Sequence, residues 1–125
     1  MKFSENKSIF LQIADNIIEK VMSGVYPVGD KIPSVRELAL QVGVNPNTIM
    51  RTYNELQSMN IIENKRGIGY FVNTDAQKFI LESKRKEFFG RVLPEIIRQA
   101  ALLGISSDEL KQEIDQLNTE AHENE

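Results

Sequence analysis

Cysteine is absent from the 125 residues. That excludes a disulfide framework, a thiolate nucleophile and a zinc–thiolate cluster. Histidine occurs once, at His122 in a polar stretch, so Ser-His catalysis and His-based metal ligation lack the partners they need. Tryptophan is absent and aromatic residues make up 7% of the chain, too few to suggest a stacking platform for single-stranded RNA. No apolar run approaches the ~20 residues of a membrane-spanning helix, and Met1-Lys2-Phe3-Ser4-Glu5 carries no apolar leader segment. No phosphate-cradling glycine loop and no recognisable pair of catalytic acids is present. Together these gaps point away from an enzyme, a metal or cofactor carrier and a membrane protein, and toward a cytoplasmic chain.

The remaining composition is ordinary for a globular protein, 41% hydrophobic and 26% charged. The length suits one small domain with an appendage. The net charge of -3 is unlike that of a basic nucleic-acid binder, but it is unevenly spread. Residues 31–72 hold five cations against three acids, residues 76–103 six against three, and residues 104–125 one against seven. The acidity is concentrated in the tail and the middle of the chain is mildly basic. Such a surface binds DNA only where the charges are well placed, and doubling by dimerisation strengthens it.

The order of elements is legible from local chemistry. Ile9, Ile13, Ile17 and Val21 recur at helical spacing, and Gly24 follows as a helix stop. Lys31-Ile32-Pro33 is long enough for only one or two strand pairs. Ser34-Val35-Arg36-Glu37 is a capping box opening a short helix that ends at Gly43. Asn45 as N-cap and Pro46 at the first helical position start another, with Ile49, Tyr53 and Leu56 on its apolar face. The period then changes to that of strands. Residues 61–64 and 69–73 predict a hairpin whose turn is Lys65-Arg66-Gly67-Ile68. Asp75 is placed to cap a helix over about 76–103, and Pro94 sets its ring against Gly90, so a kink or break is expected at 90–94. Ser106-Ser107-Asp108-Glu109 is a second capping box, and fraying is expected from about Glu120.

One constellation carries a function. Ala39 is small enough for close helix approach, Gly43 four residues on permits a left-handed turn, and Ile49 six further packs one helix on the other. This is the steric signature of a DNA-binding helix-turn-helix. The hairpin with a basic tip makes the order that of a winged helix. The fold class is thus mainly α with a small β-hairpin, a winged helix-turn-helix over 1–74 followed by a short helical dimerisation region over 75–125. Opposite the Ile49–Leu56 face lie Asn47, Arg51, Asn54 and Ser58. Asn47, Thr48 and Arg51 are therefore candidate base or phosphate contacts, since Asn pairs bidentately with adenine and Arg with guanine. Asn45 at the helix start, Arg36 in the preceding helix, and Lys65, Arg66 and Gly67 at the hairpin tip complete the candidate interface. Tyr53 is assigned to the core.

The run Ile32-Pro33-Ser34-Val35-Arg36-Glu37-Leu38-Ala39, then Gly43-Val44-Asn45-Pro46-Asn47-Thr48, then Arg66-Gly67-Ile68-Gly69-Tyr70-Phe71-Val72 resembles the DNA-binding domain of GntR-family bacterial regulators. Gly24 to Lys31 resembles the same family's first loop, and the short remainder resembles the YtrA-like subgroup with its small helical dimerisation appendage. The resemblance implies a dimeric transcriptional regulator, usually a repressor, often of transporter operons. It also implies operator contacts at Arg36, Thr48, Arg66 and Gly67. The wider family often carries Arg where Pro46 and Met50 stand here, so those two contacts do not transfer, and Asn47 and Arg51 are the natural substitutes.

The C-terminal residues Phe88, Phe89, Val92, Ile96, Leu103 and Leu110 are too apolar for two helices to bury alone. A second copy covering them makes a C2 homodimer, which predicts two half-sites in a double-stranded DNA palindrome. Such an interface is where a small-molecule effector would bind, although no motif specifies one. The competing reading, a winged helix used for protein contacts, predicts that Arg51→Ala leaves nucleic-acid affinity unchanged.

Overall fold

A computed structural model describes residues 7–123. Its elements are α1 (Ile9–Met22), α2 (Val35–Val42), α3 (Pro46–Ser58), β1 (Ile62–Lys65), β2 (Gly69–Val72), α4 (Ala76–Glu87), a π-helical turn (Phe88–Val92), α5 (Leu93–Leu102) and α6 (Ser107–Glu123). The chain divides into two units, one ending at Lys84 and one starting at Arg85.

The first unit closes around a single core. Ile13, Ile17 and Val21 of α1 meet Leu38 and Ala39 of α2, Ile49, Tyr53 and Leu56 of α3, and Ile61, Ile62, Val72 and Ile80 beyond. Burying each Ile or Leu side chain contributes about 1.5–3 kcal/mol. The helical spacing read from the sequence is the spacing of this buried face. Tyr53 lies in the core and donates its hydroxyl proton to the Pro33 carbonyl at 2.6 Å. Burial, with smaller contributions from Tyr26 and Tyr70, pushes its phenol pKa well above the ordinary range. Thr52 is the buried polar side chain among the described residues. Its Oγ1 lies 2.9 Å from the Thr48 carbonyl and 3.1 Å from the Phe10 carbonyl, so one proton is shared between two acceptors.

The turns form where the local chemistry directs them. Glu37 N–H donates to Ser34 Oγ at 3.1 Å and Ser34 N–H to Glu37 Oε1 at 3.2 Å, completing the capping box. Gly43 ends α2 at φ +79°, a conformation that costs a side chain-bearing residue more. Asn45 Oδ1 accepts from Asn47 N–H at 2.8 Å, with Pro46 in the first helical turn. Asn60, at φ +60°, follows α3 in the left-handed conformation that Asn tolerates.

The hairpin is antiparallel, pairing Ile62 with Val72, Glu63 with Phe71, Asn64 with Tyr70 and Lys65 with Gly69. It lies one residue from the expected register, because the turn closes over Arg66-Gly67-Ile68. Ile68 N–H reaches the Lys65 carbonyl at 2.9 Å, and Lys65 stays in the ladder. Ile61 is drawn out of the strand, its N–H donating to the Leu56 carbonyl at the end of α3 at 3.0 Å. Lys31 bridges Phe71, and Ile32 N–H donates to the Tyr70 carbonyl at 2.9 Å, giving β2 a short second neighbour.

Two expectations shift in detail. At the start of α4 the Asp75 carbonyl accepts from Phe79 N–H, but the side-chain bond comes from Asn73, whose Oδ1 accepts from Asp75 N–H at 2.9 Å. Asn73 captures that amide because it sits two residues before it, the spacing of an Asx turn. At Pro94 the chain does not leave the helix. Phe88–Val92 widen into a π-helical turn in which Leu93 N–H donates to the Phe88 carbonyl, five residues back. Widening relieves the clash that a proline ring makes with the turn before it. Pro94 then falls in the first turn of α5, where its missing N–H costs little. In α6, Ser106 Oγ accepts from Glu109 N–H at 3.1 Å, and Asp108 and Glu109 suit the positive end of the helix dipole. Helical hydrogen bonding continues to Glu123.

Candidate nucleic-acid interface

Helix α3 turns its apolar side inward and leaves a polar strip outward. Ile49, Thr52, Tyr53 and Leu56 are buried, while Asn47, Arg51, Asn54 and Ser58 are exposed and Thr48 is half-buried. The exposed strip starts in the first turn of α3, where Pro46 has no N–H and the Asn47 and Thr48 N–H groups donate to Asn45 Oδ1 and to the Asn45 carbonyl, at 2.8 and 2.9 Å. Of the residues near that end, Asn45 has its side-chain oxygen committed to capping. Asn47 keeps its side chain for outside contacts, and Thr48 stands next to it.

Arg36 is exposed in the first turn of α2. It shares an apolar hollow of about 260 Å³ with Ala39, Leu40, Val44 and Pro46. That hollow brings Arg36 and the start of α3 to one rim, as the helix-turn-helix spacing implies. Its neighbour Glu37 is held below the usual carboxylate range, mainly by the hydrogen bonds from Ser34 and to a smaller extent by the charge of Lys31. The acid therefore stays ionised and occupied in its cap.

Arg51 is more constrained than an exposed arginine. Its guanidinium carbon lies 3.9 Å from the centre of the Phe10 ring. In the wing, Lys65 Nζ is 4.4 Å from the Phe71 ring centre and 4.0 Å from Glu63 Oε1, so its stem runs along the hairpin. Arg66 and Gly67 are exposed at the tip, with Gly67 at φ +78°.

The structure adds two residues that the sequence did not single out. The stem of Lys31 crosses β2 at Gly69, where a Cβ would sit 2.8 Å from Lys31 Cε. Lys31 thus joins Lys65 and Arg66 as a third cation of the wing. Only the Lys31–Phe71 bridge reveals this, and no local motif signals it. Phe10 is the second, a ring on α1 whose helical spacing marks it as apolar but not as the support of Arg51. Met50 is partly exposed, and its Sδ accepts from the Tyr70 hydroxyl at 3.8 Å.

The arrangement offers hydrogen-bonding side chains and positive charge at its surface. Among the described residues there is no group of acids and histidines able to hold a metal ion. What it can do is present a short polar helix face, flanked by cations on α2 and on a hairpin, to a duplex. An α-helix fits the major groove, and phosphate contacts made by basic side chains fix the register of such a helix on a duplex.

Comparison with known proteins agrees. The model of the family described as "Bacterial regulatory proteins, gntR family" matches residues 10–72. The chain is 39% identical over 109 residues to the uncharacterized HTH-type transcriptional regulator YhcF of Bacillus subtilis (strain 168), covering 87% of this chain and 88% of that one. It is 33% identical over 112 residues to the HTH-type transcriptional repressor YtrA of the same organism, covering 90% and 85%. Among solved structures, a putative transcriptional regulator of the GntR family from Bacteroides thetaiotaomicron superposes with a TM-score of 0.77 at 38% identity, covering 91% of this chain and 99% of that one.

Proposed function

This chain belongs to the gntR family of bacterial regulatory proteins, DNA-binding transcriptional regulators rather than enzymes, and from that premise we propose that it is a cytoplasmic homodimeric repressor of a palindromic operator. The observation that carries the reading is the exposed strip of α3, with Asn47, Thr48 and Arg51 at its N-terminal end and Arg36 and the wing cations on either side. Arg51 reads guanine, Asn47 reads adenine, and Thr48, Arg36 and Arg66 hold the phosphate backbone. Lys65 and Gly67 bring the wing close to the duplex. Repression follows from occupying the promoter, and similarity to a protein named as a repressor supports that sign. A transporter operon is the target class that the subgroup resemblance suggests.

The dimer is argued from the second unit. Phe88, Phe89, Ile96 and Leu103 are exposed there, and Val92 and Leu110 only half-buried. A second copy is the simplest cover for this surface. Two recognition helices related by a two-fold axis call for two inverted half-sites about one helical turn apart.

Selection from a random double-stranded DNA library, run in parallel on the native chain and on Arg51→Ala, tests the reading. The expected result is an enriched inverted repeat that is relaxed at one position per half-site in the variant. Absence of any enrichment sinks it in favour of a protein-contact module.

A further inference from the structure

Phe10 lies at the start of α1, 41 positions before the arginine it touches. Two independent contacts tie it to α3. Its carbonyl lies 3.1 Å from Thr52 Oγ1, a buried hydroxyl fixed in turn to the Thr48 carbonyl at 2.9 Å. Its ring lies under the Arg51 guanidinium, 3.9 Å from ring centre to guanidinium carbon. The backbone of Phe10 is thus anchored to the residue after Arg51, and its side chain to Arg51 itself.

The consequence follows from the shape of the two groups. A guanidinium is planar and its N–H donors lie in that plane. A ring centre 3.9 Å from the guanidinium carbon is too close for an N–H to aim edge-on at the ring, so the ring meets the face and takes up none of those donors. The edge needed for a bidentate contact with guanine stays free, while the long flexible stem loses much of its freedom. We propose that Phe10 is a specificity-determining positioning residue, which holds the Arg51 guanidinium in a readout geometry before DNA arrives. Preorganisation of this kind strengthens the correct contact by lowering the ordering cost at binding. It acts on one base position and leaves phosphate contacts untouched.

This inference rests on Arg51 reading a base, so the experiment separates the two. Phe10→Leu, Phe10→Tyr, Arg51→Ala and the double variant Phe10→Leu/Arg51→Ala are carried through the same duplex selection, followed by titrations on the selected site and on a scrambled duplex. For Phe10→Leu the expected result is a preference for guanine at one position per half-site weakened about three- to five-fold, the size of an exposed cation–π contact. Affinity for the scrambled duplex should stay within about two-fold, and Phe10→Tyr should retain the native preference. In the Arg51→Ala background, adding Phe10→Leu should change no base preference. Because both proteins in that comparison lack Arg51, it isolates any effect of Phe10→Leu that does not pass through the arginine, a lowered melting temperature included.

Equal weakening on both duplexes overturns the proposal and leaves Phe10 a packing residue. Tighter specific binding by Phe10→Leu also overturns it, since the ring would then be holding Arg51 away from the base. If Arg51→Ala itself leaves the selected motif unchanged, the base-reading role fails first and this inference fails with it.

Discussion

In the unit that ends at Lys84, apolar residues at helical spacing finish covered. Ile13, Ile17, Ile49 and Leu56 are all at or below 2% exposure, and four helices and a hairpin contribute to one core. In the unit that starts at Arg85, the same kind of spacing finishes uncovered. Ala100 is the sole buried residue among those described there, while Ile97 is 53% and Leu103 75% exposed. Even the Phe88 and Phe89 rings, edge to face at 5.3 Å, stay 44% and 58% exposed. An amphipathic helix specifies that a face must be buried, not what buries it. The first unit supplies its own cover, and the second presents the surface from which the dimer is proposed.

That contrast is most sharply tested by one substitution at two places. Ile49→Ala should cost about 2–5 kcal/mol, because it removes buried atoms and leaves a cavity. Ile97→Ala, at concentrations where the chain is monomeric, should change stability by no more than about 0.5 kcal/mol. Denaturant titration of both variants measures the difference. Similar costs would show that the second unit has a core of its own.

A smaller effect is expected from charge on the exposed face. Phe89→Glu with Leu103→Glu should weaken self-association at least about ten-fold, since a carboxylate buried between copies without a partner is costly. The first unit should keep its melting temperature. Sedimentation and thermal melts report the two quantities separately. Unaltered association would mean that a second copy does not cover this face.

The smallest expected effect lies inside the well-packed unit, at its surface. Ser34→Ala should cost about 1 kcal/mol through loss of the N-cap. It should also alter the acid limb of the stability curve. The Ser34 hydrogen bonds lower the folded-state pKa of Glu37 below its ordinary value of 4.5. Its contribution is therefore complete above pH 4.5 and is lost as pH falls through the lower folded value. Ser34→Ala should flatten that part of the curve, measured by melting temperature against pH. An unchanged acid limb would show that the cap carries no linkage.

The elements that were legible in the sequence are those whose causes lie within four residues. Ser34 and Glu37 close a box, Asn45 and Pro46 start α3, and Gly43 and Gly67 turn the chain. The Ile49–Tyr53–Leu56 stripe told which side of α3 faces inward, and hence which residues face out. The register of the hairpin was less legible. Whether Lys65 belongs to turn or ladder depends on how Gly67 closes the loop and on Ile61 being held by Leu56. Lys31 in the wing and Phe10 under Arg51 were not legible at all, because each depends on where a residue some 40 positions away is packed.

The sequence by itself determined the order of the elements, the inward and outward faces of the helices, and the helix-turn-helix with its wing. Periodicity, capping and left-handed glycines act through neighbours along the chain, so they can be read without a fold. Only the tertiary structure decided that Thr52 is buried and shares its proton with Phe10, that Arg51 rests on an aromatic ring, that Lys31 crosses β2, and that Pro94 is absorbed by a widened helical turn. The first three are choices among distant partners, made by close packing of a particular core. The last is a choice between two ways of relieving one local clash, which the identity of Pro94 alone leaves open.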